Sequence, residues 1–305
     1  MATMESVYLR SRRAFLLQTQ NSDGGWGYFP GKQSWLEPTT YAMLALHGST
    51  GSEAAWNKAL DLVGSWQTPD GGFRPTAAVS TPNWTTAFGV TVSSIGGRNG
   101  SAQRGVDYLL QIHGIEGDDR MAKIVSKLLP QVALDRDPSL LAWPWQPNAV
   151  SWIEPTAHAV IALRLAAAAK IVRPTLAQRV DLGQRMILSL RCQDGGWNYG
   201  SRSALNVALP SYSETTAIAM LGLAGRPESE IKAPLDYARK LAATPQAPLA
   251  SAWLRVSLAL HGISNEQDPN QTVSEYDILL AAVEALGAEG GNAQLLQPGA
   301  GERAS

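Results

Sequence analysis

The sequence has little of several features that define other protein classes. Of its 305 residues only Cys192 is a cysteine, which excludes an internal disulfide framework and a zinc site built on several cysteines. The formal net charge is −1, so no long-range field favours nucleic acid or an anionic membrane. No apolar run approaches the roughly 18 residues of a membrane span, and none of secretory length follows the N-terminal arginines. We therefore predict a cytoplasmic protein that binds no nucleic acid.

An internal repeat ends in a pair of glycines. Gln20-Asn-Ser-Asp-Gly-Gly-Trp26 recurs as Gln67-Thr-Pro-Asp-Gly-Gly-Phe73 and as Gln193-Asp-Gly-Gly-Trp197. Each copy follows a segment whose apolar residues have helical spacing, and the glycine pair ends that helix. These segments also carry a polar face, as 176–191 does, which predicts helices on the outside of the fold.

A second signal follows each glycine turn. It reads Trp35-Leu-Glu37-Pro38-Thr39, Trp152-Ile-Glu154-Pro155-Thr156 and Tyr212-Ser-Glu214-Thr215-Thr216. An acidic residue and a proline at the start of an alanine- and leucine-rich segment indicate the first turn of a helix. The segments that follow are apolar almost all round, so we predict helices buried on every side.

Alternating outer and inner helices predict an all-α fold, an α/α toroid of six helix pairs. We expect one toroid domain over residues 1–286, with an insertion near 114–138 that explains the long spacing between Phe73 and Trp145, and a disordered tail at 287–305. Twelve helical segments are predicted, but the motifs place one inner helix too few unless the insertion supplies it.

The repeat resembles one found in known enzymes. Arg13-Ala-Phe15-Leu16, Gln20 and Asp23-Gly-Gly-Trp26 are similar to the repeat of squalene-hopene and oxidosqualene cyclases, and more broadly to that of protein prenyltransferase β subunits. The resemblance implies a class II terpene cyclase that closes rings in a polyprenyl substrate after protonating it. Two-barrel cyclases enclose the substrate between both barrels, so we expect a second barrel subunit or a homodimer.

The resemblance also implies catalytic residues. In these cyclases the third position of an Asp-x-Asp-Asp motif is the general acid, and the same position here is occupied by Glu37, Glu154 and Glu214. The neighbouring aspartates of that motif are absent. His158 follows Glu154 by four residues and is a candidate to tune its acidity on the same helical face. The alternative is that the three carboxylates only stabilise helix N-termini.

Five further residues are candidates for substrate binding. The aromatic faces of Trp35, Trp152 and Tyr212 are suited to stabilise carbocations, although they equally suit loop packing before a helix. Arg164 and Arg255 fall within inner helices, where they either pair with the acids or contact an anionic ligand.

The sequence also bears on functions other than terpene cyclisation. Zinc-dependent prenyl transfer needs an Asp, a Cys and a His, but Cys192 falls in an outer-helix turn, so we predict neither a metal nor a cofactor. We predict a protein that holds an apolar isoprenoid-like molecule in an aromatic-lined cavity. A non-catalytic toroid that binds a lipid or a protein partner stays open, as does a polysaccharide-active toroid that uses its glutamates as an acid and base pair.

Overall fold

A computed structural model describes residues 6–117, 137–204, 207–263 and 276–297. In this part the helices are α1 (Val7–Gln18), α2 (Leu36–Leu46), α3 (Glu53–Ser65), α4 (Thr86–Ile95), α5 (Asn99–Gln111), α6 (Ile153–Ala168), α7 (Leu176–Ser189), α8 (Ser213–Gly222), α9 (Glu228–Ala242), α10 (Pro248–Leu260) and α11 (Ile278–Gly287). Short 3-10 helices cover Ile115–Gly117 and Ala293–Leu296. Strands β1 (Ser203–Ala204) and β2 (Val207–Ala208) form an antiparallel hairpin.

Six helices form a closed inner ring, in the order α2, α4, α6, α8, α10, α11 and back to α2. Most side chains of these helices are buried, in agreement with sequences that are apolar all round. The α/α toroid predicted from the sequence is therefore confirmed. The inner helix that the motifs did not place is α4, whose first turn lacks the Glu-Pro signature.

Within the described ranges, five outer helices cover five of the six grooves between neighbouring inner helices. Helix α1 lies over α11 and α2, α3 over α2 and α4, α5 over α4 and α6, α7 over α6 and α8, and α9 over α8 and α10. Amphipathic sequences place their apolar faces against the ring and their charged faces in water.

Each glycine turn is a corner that joins an outer helix to the next inner helix. At the first corner Gly24 adopts φ +99°, and the carboxylate of Asp23 accepts a hydrogen bond from the amide of Gly25 at 2.9 Å. The indole of Trp26 donates to the carbonyl of Leu16 at 2.8 Å. The repeated Asp and Trp therefore satisfy backbone groups that the end of α1 leaves free.

The third corner is centred on Trp143, two residues before the position that the sequence spacing indicated. The indole of Trp143 donates to the carbonyl of Leu109 at 2.8 Å, as Trp26 and Trp197 do to their own outer helices. The long interval thus lies between α5 and this corner. The helix predicted near 121–129 lies outside the described residues, as does 118–136 as a whole.

The corners fix the start of the inner helices at one end of the ring. A threonine in the first turn of the helix accepts a hydrogen bond from the amide of each corner aromatic, at 2.9 to 3.1 Å. The pairs are Trp26 with Thr39, Phe73 with Thr86, Trp143 with Thr156 and Trp197 with Thr216. Consecutive corners are also joined, since the amides of Leu36 and Ile153 donate to the carbonyls of Pro75 and Tyr199. We call this end of the ring the mouth.

The chain beyond α11 departs from the prediction of a disordered tail that begins at residue 287. Ala293 and Leu296 are buried, and the 3-10 helix that contains them packs against α10. The amide group of Asn292 donates to the carbonyls of Leu44 and His47 at 2.9 and 2.7 Å. Burial and hydrogen bonding make residues 288–297 part of the fold, while 298–305 lie outside the described residues.

Candidate active site

The three predicted glutamates all lie at the mouth. Glu37, Glu154 and Glu214 are each the second residue of an inner helix, on α2, α6 and α8 respectively. Because these helices are parallel members of one ring, their N-terminal turns face one another across its axis. The charges of Glu37 and Glu214 both act on Glu154, so the sequence motif has brought the three carboxyl groups together.

Glu154 is protonated at neutral pH. Burial first, and then the charges of Glu37 and Glu214, raise the pKa of the Glu154 carboxyl to about 8. Within the part of the chain that the structure describes, this carboxyl group receives no hydrogen bond and forms no ion pair. A partly buried carboxyl group at the mouth therefore has its donor and acceptor capacity available to a bound molecule.

Glu37 and Glu214 differ from Glu154 in their surroundings. Burial raises the pKa of Glu37, while the hydroxyl of Tyr28, which donates to its carboxyl at 2.5 Å, acts in the opposite direction and stabilises the carboxylate. Burial also raises the pKa of Glu214, which is the most exposed of the three. The two carboxyl groups thus differ in that a phenol donates to Glu37 and none of the described groups donates to Glu154.

His158 contacts the backbone of Glu154 and not its carboxyl group. Its Nδ1 lies 2.8 Å from the carbonyl oxygen of Glu154, which can only accept, so Nδ1 carries the proton. Nε2 then accepts from the hydroxyl of Tyr41 at 2.5 Å. Burial lowers the pKa of His158 to about 4, so the imidazole is neutral. The residue joins α6 to α2 across the ring.

Four side chains fill the ring one turn below the glutamates. Tyr41 of α2, Phe88 of α4, His158 of α6 and Trp253 of α10 are each at most 4% exposed. The ring of Tyr41 meets those of Phe88 and Trp253 edge to face, at centroid distances of 5.4 and 5.0 Å, and Phe88 meets His158 at 4.8 Å. We call these four residues the aromatic plug.

Pairs of aromatic rings surround the mouth. Tyr28 lies against Trp35 with ring centroids 6.1 Å apart, Trp84 against Trp145 at 4.5 Å, and Tyr199 against Tyr212 at 5.2 Å. These six residues are the aromatic collar. Tyr199 and Tyr212 are 56% and 48% exposed, so one side of the collar is open to solvent. Trp152 directly precedes α6 and is partly buried.

The two predicted arginines lie away from the glutamates. Arg164 follows Glu154 by ten residues on α6, a separation of about 15 Å along the helix, and its guanidinium donates to the carbonyl of Ala224. Arg255 lies beside Gly287, the last residue of α11, and lines a cavity of about 550 Å³ with residues 286–291. Neither arginine pairs with an acid of the mouth, and both lie towards the opposite end of the ring.

Several residues of the site were not among those predicted from the sequence. Tyr28, Trp145 and Tyr199 each stand two residues after a corner aromatic, in Trp26-x-Tyr28, Trp143-x-Trp145 and Trp197-x-Tyr199. That spacing was a readable signal for the collar. Tyr41 and Trp253 gave no such signal, because single aromatic residues in apolar helices are ordinarily core residues.

Two other features of the described residues concern possible sites. They contain no cluster of three or more His, Cys, Asp or Glu side chains with the geometry of a metal site. In the same ranges, no helix combines the length and hydropathy that a membrane crossing requires. Cys192 is buried, and burial raises the pKa of its thiol.

Comparisons with solved structures identify the same fold in proteins of different chemistry. The type II terpene cyclase MstE from Scytonema, solved with geranylgeranyl dihydroxybenzoate as substrate, matches 91% of this chain and 76% of its own with a TM-score of 0.55 and 16% identity. A glycosidase matches 95% of this chain and 96% of its own, with a TM-score of 0.57 and 13% identity. Similarity at this level establishes the fold alone.

Sequence comparison adds one local match. Drimenyl diphosphate synthase from Streptantibioticus cattleyicolor is 43% identical over 65 residues, a segment that covers 21% of this chain and 12% of the synthase. This chain therefore corresponds to a small part of that protein's length. No family model matches the chain. The fold is shared with type II terpene cyclases, and one segment of the sequence is similar to a terpene synthase.

Proposed function

We propose that this protein is an isoprenoid-handling enzyme that resembles class II terpene cyclases, with Glu154 as the general acid. The observation that supports this most strongly is the place of Glu154, at a mouth surrounded by aromatic rings and without a hydrogen-bond partner among the described residues. Its raised pKa keeps the proton on the carboxyl group but makes Glu154 a weaker acid, so stabilisation of the carbocation has to drive the transfer. The similarity to drimenyl diphosphate synthase and the fold shared with MstE support the choice of an isoprenoid.

In the proposed reaction Glu154 donates its proton to a terminal double bond of the bound isoprenoid. The electron pair of that double bond forms the new C–H bond, which leaves a tertiary carbocation on the adjacent carbon and a carboxylate on Glu154. Electron pairs of further double bonds attack the cation and close the rings. The last cation then loses a proton to the Glu37 carboxylate, and the electrons of the broken C–H bond form a double bond. Proton exchange with water restores Glu154 and Glu37, so the overall reaction is an isomerisation.

The surroundings of Glu154 favour the charged intermediates. A carbocation at the mouth is attracted by the negative charges of Glu37 and Glu214 and by the faces of collar residues such as Trp35 and Tyr212. Glu37, whose carboxylate is stabilised by the Tyr28 hydroxyl, is positioned to accept a proton at the mouth. Trp152 adjoins Glu154 in sequence and has the same π character, so we include it among the residues that contact substrate.

A second barrel is not required by this proposal. This chain matches 76% of the length of the terpene cyclase MstE. We propose that the ring binds its substrate at the mouth, and the second barrel subunit or homodimer that the resemblance implies stays a prediction.

The decisive experiment compares the wild-type protein with Glu154→Gln. Each is incubated with farnesyl diphosphate, geranylgeranyl diphosphate, their alcohols, squalene and oxidosqualene, and cyclised products are sought by gas chromatography and mass spectrometry. We expect cyclic products from at least one substrate with the wild-type protein, and a loss of about a hundredfold or more with Glu154→Gln. Isoprenoid binding without any product would favour the non-catalytic toroid.

A specific observation supports a second candidate, a polysaccharide-active enzyme. The glycosidase match covers nearly all of both chains, and carboxylic acid and carboxylate groups beside exposed aromatic rings also suit glycan hydrolysis. The same two proteins are therefore incubated with a panel of oligosaccharides. Release of reducing ends by the wild-type protein, absent with Glu154→Gln, would replace the isoprenoid proposal.

A further inference from the structure

The interior of the ring is closed to a ligand that enters from the mouth. The four residues of the aromatic plug come from four of the six inner helices and together span the ring. Their low exposure leaves no water-sized space between them at this level. A chain that followed the axis would have to separate the plug and break the hydrogen bond between Tyr41 and His158, both of which are buried.

The depth of the mouth follows from helix geometry. Glu37 and Tyr41 are four residues apart on α2, and Glu154 and His158 are four residues apart on α6. Four residues make about one turn, so the carboxyl groups lie about 6 Å above the plug. A molecule that contacts Glu154 therefore has little room beneath it and extends sideways, over the rings of the collar.

We propose that the aromatic plug limits the length of isoprenoid that the mouth can bury. This inference rests on the proposed function and specifies its substrate class: a short isoprenoid that lies across the mouth with its terminal double bond at Glu154. Prenyl units beyond the collar extend into water and bury no further apolar surface. Binding therefore stops tightening once the chain spans the mouth.

The experiment measures dissociation constants of the full chain for farnesol and geranylgeraniol, which have the same head group and differ by one prenyl unit. For the wild-type protein we expect the two constants to agree within about twofold. Phe88→Ala removes a ring from the plug and opens space below the mouth. For this variant we expect geranylgeraniol to bind about tenfold more tightly than farnesol, because the added unit becomes buried.

Two variants serve as matched controls. Tyr41→Phe removes the hydrogen bond to His158 but keeps the ring, so the ratio of the two constants should stay as in the wild type. Phe73→Ala truncates a buried phenylalanine that lies against Gly89 and Gly105, outside the ring interior, and should also leave the ratio unchanged. If Phe88→Ala does not fold by circular dichroism, Phe88→Leu replaces it with the same expected direction.

Each outcome separates the inference from the proposed function. Tenfold tighter binding of geranylgeraniol by the wild-type protein would overturn the role of the plug while isoprenoid binding stands. An unchanged ratio in a folded Phe88 variant would do the same. Failure of the wild-type protein to bind either alcohol would remove the proposed function itself, and this inference with it.

Discussion

The two ends of the inner ring differ in whether their polar groups have hydrogen-bond partners. At the end opposite the mouth, long side chains donate to the free carbonyls of inner helices: Arg13 to Ala45, Arg164 to Ala224, Gln184 to Gly222 and His261 to Met220. At the mouth, the corner hydrogen bonds satisfy the backbone, yet Glu154 has no partner in the described part of the chain. Side chains satisfy backbone carbonyls at one end, and a carboxyl group without such a partner lies at the other.

Two glutamates of inner helices show this difference in partners most clearly. Glu284 of α11 is buried and accepts from the guanidinium of Arg12 of α1 at 3.0 Å, whereas Glu154 faces two other carboxyl groups. The first is a buried ion pair, and the second is the residue for which we propose a catalytic role. Substitution of either residue by glutamine makes the comparison quantitative.

The largest effect is expected from these two substitutions. Glu284→Gln should lower the free energy of unfolding by about 3–5 kcal/mol, because it leaves the buried charge of Arg12 without its counter-charge. Glu154→Gln should raise that free energy at pH 7, because the wild-type glutamate ionises when the chain unfolds whereas glutamine stays neutral in both states. Urea unfolding followed by circular dichroism measures both. A comparable loss in the two variants would contradict the division between the ends.

The next effect concerns pH. The pKa of Glu154 is about 8 in the folded protein and near its ordinary value of 4.5 in the unfolded chain. Its contribution to stability is therefore complete below about pH 4.5 and is lost as the pH rises through about 8. We expect the wild-type protein to lose about 4 kcal/mol between pH 5 and pH 9, and Glu154→Gln to lose less. Unfolding free energies at pH 5, 7 and 9 would test the difference, and parallel curves would refute it.

A smaller effect is expected at the opposite end. Arg164→Met keeps the apolar stem but removes the donor to the carbonyl of Ala224, so stability should fall by about 1 kcal/mol. Because the guanidinium lies about 15 Å along α6 from Glu154, affinity for farnesol should not change. Thermal unfolding and ligand titration measure the two quantities. Weakened binding in this variant would return Arg164 to the substrate site.

The smallest effect is expected from Tyr28→Phe. Loss of the phenol's hydrogen bond raises the pKa of Glu37, so the carboxylate that acts on Glu154 is less populated at a given pH. The pKa of Glu154 then falls, and the alkaline limit of activity should move down by less than about one pH unit. A pH profile of turnover measures it. An unchanged alkaline limit would show that Glu37 does not act on Glu154.

The architecture could be predicted from the sequence because each repeat contains residues that mark where a helix ends and where the next one begins. Glycine turns and proline starts each have a local physical cause, so outer and inner helices were readable segment by segment. Helix α4 was missed because Trp84, two residues before its first residue Thr86, occupies the place where the other inner helices have glutamate. The interval to Trp145 misplaced the third corner by two residues, since Trp143 and Trp145 are equally aromatic.

The site was recovered only in part, for a different reason. The glutamates were found because the motif places them at equivalent helix starts, and the ring makes equivalent starts converge. Tyr41 and His158 lie on helices that are not neighbours in the ring, and their hydrogen bond joins residues 117 positions apart. Such a contact depends on the radius of the ring, which no local pattern encodes.

Closure of the ring has a consequence for biosynthesis. Helix α11 is inserted between α10 and α2, the amide of Ile278 donates to the carbonyl of Tyr28 at 2.9 Å, and the ion pair of Arg12 with Glu284 spans 272 positions. Contacts of such long range form late in folding, because the whole intervening chain must first become ordered. During synthesis on the ribosome, one apolar face of helix α2 therefore stays uncovered until α11 has been made. We expect the nascent chain to be most prone to aggregation in that interval.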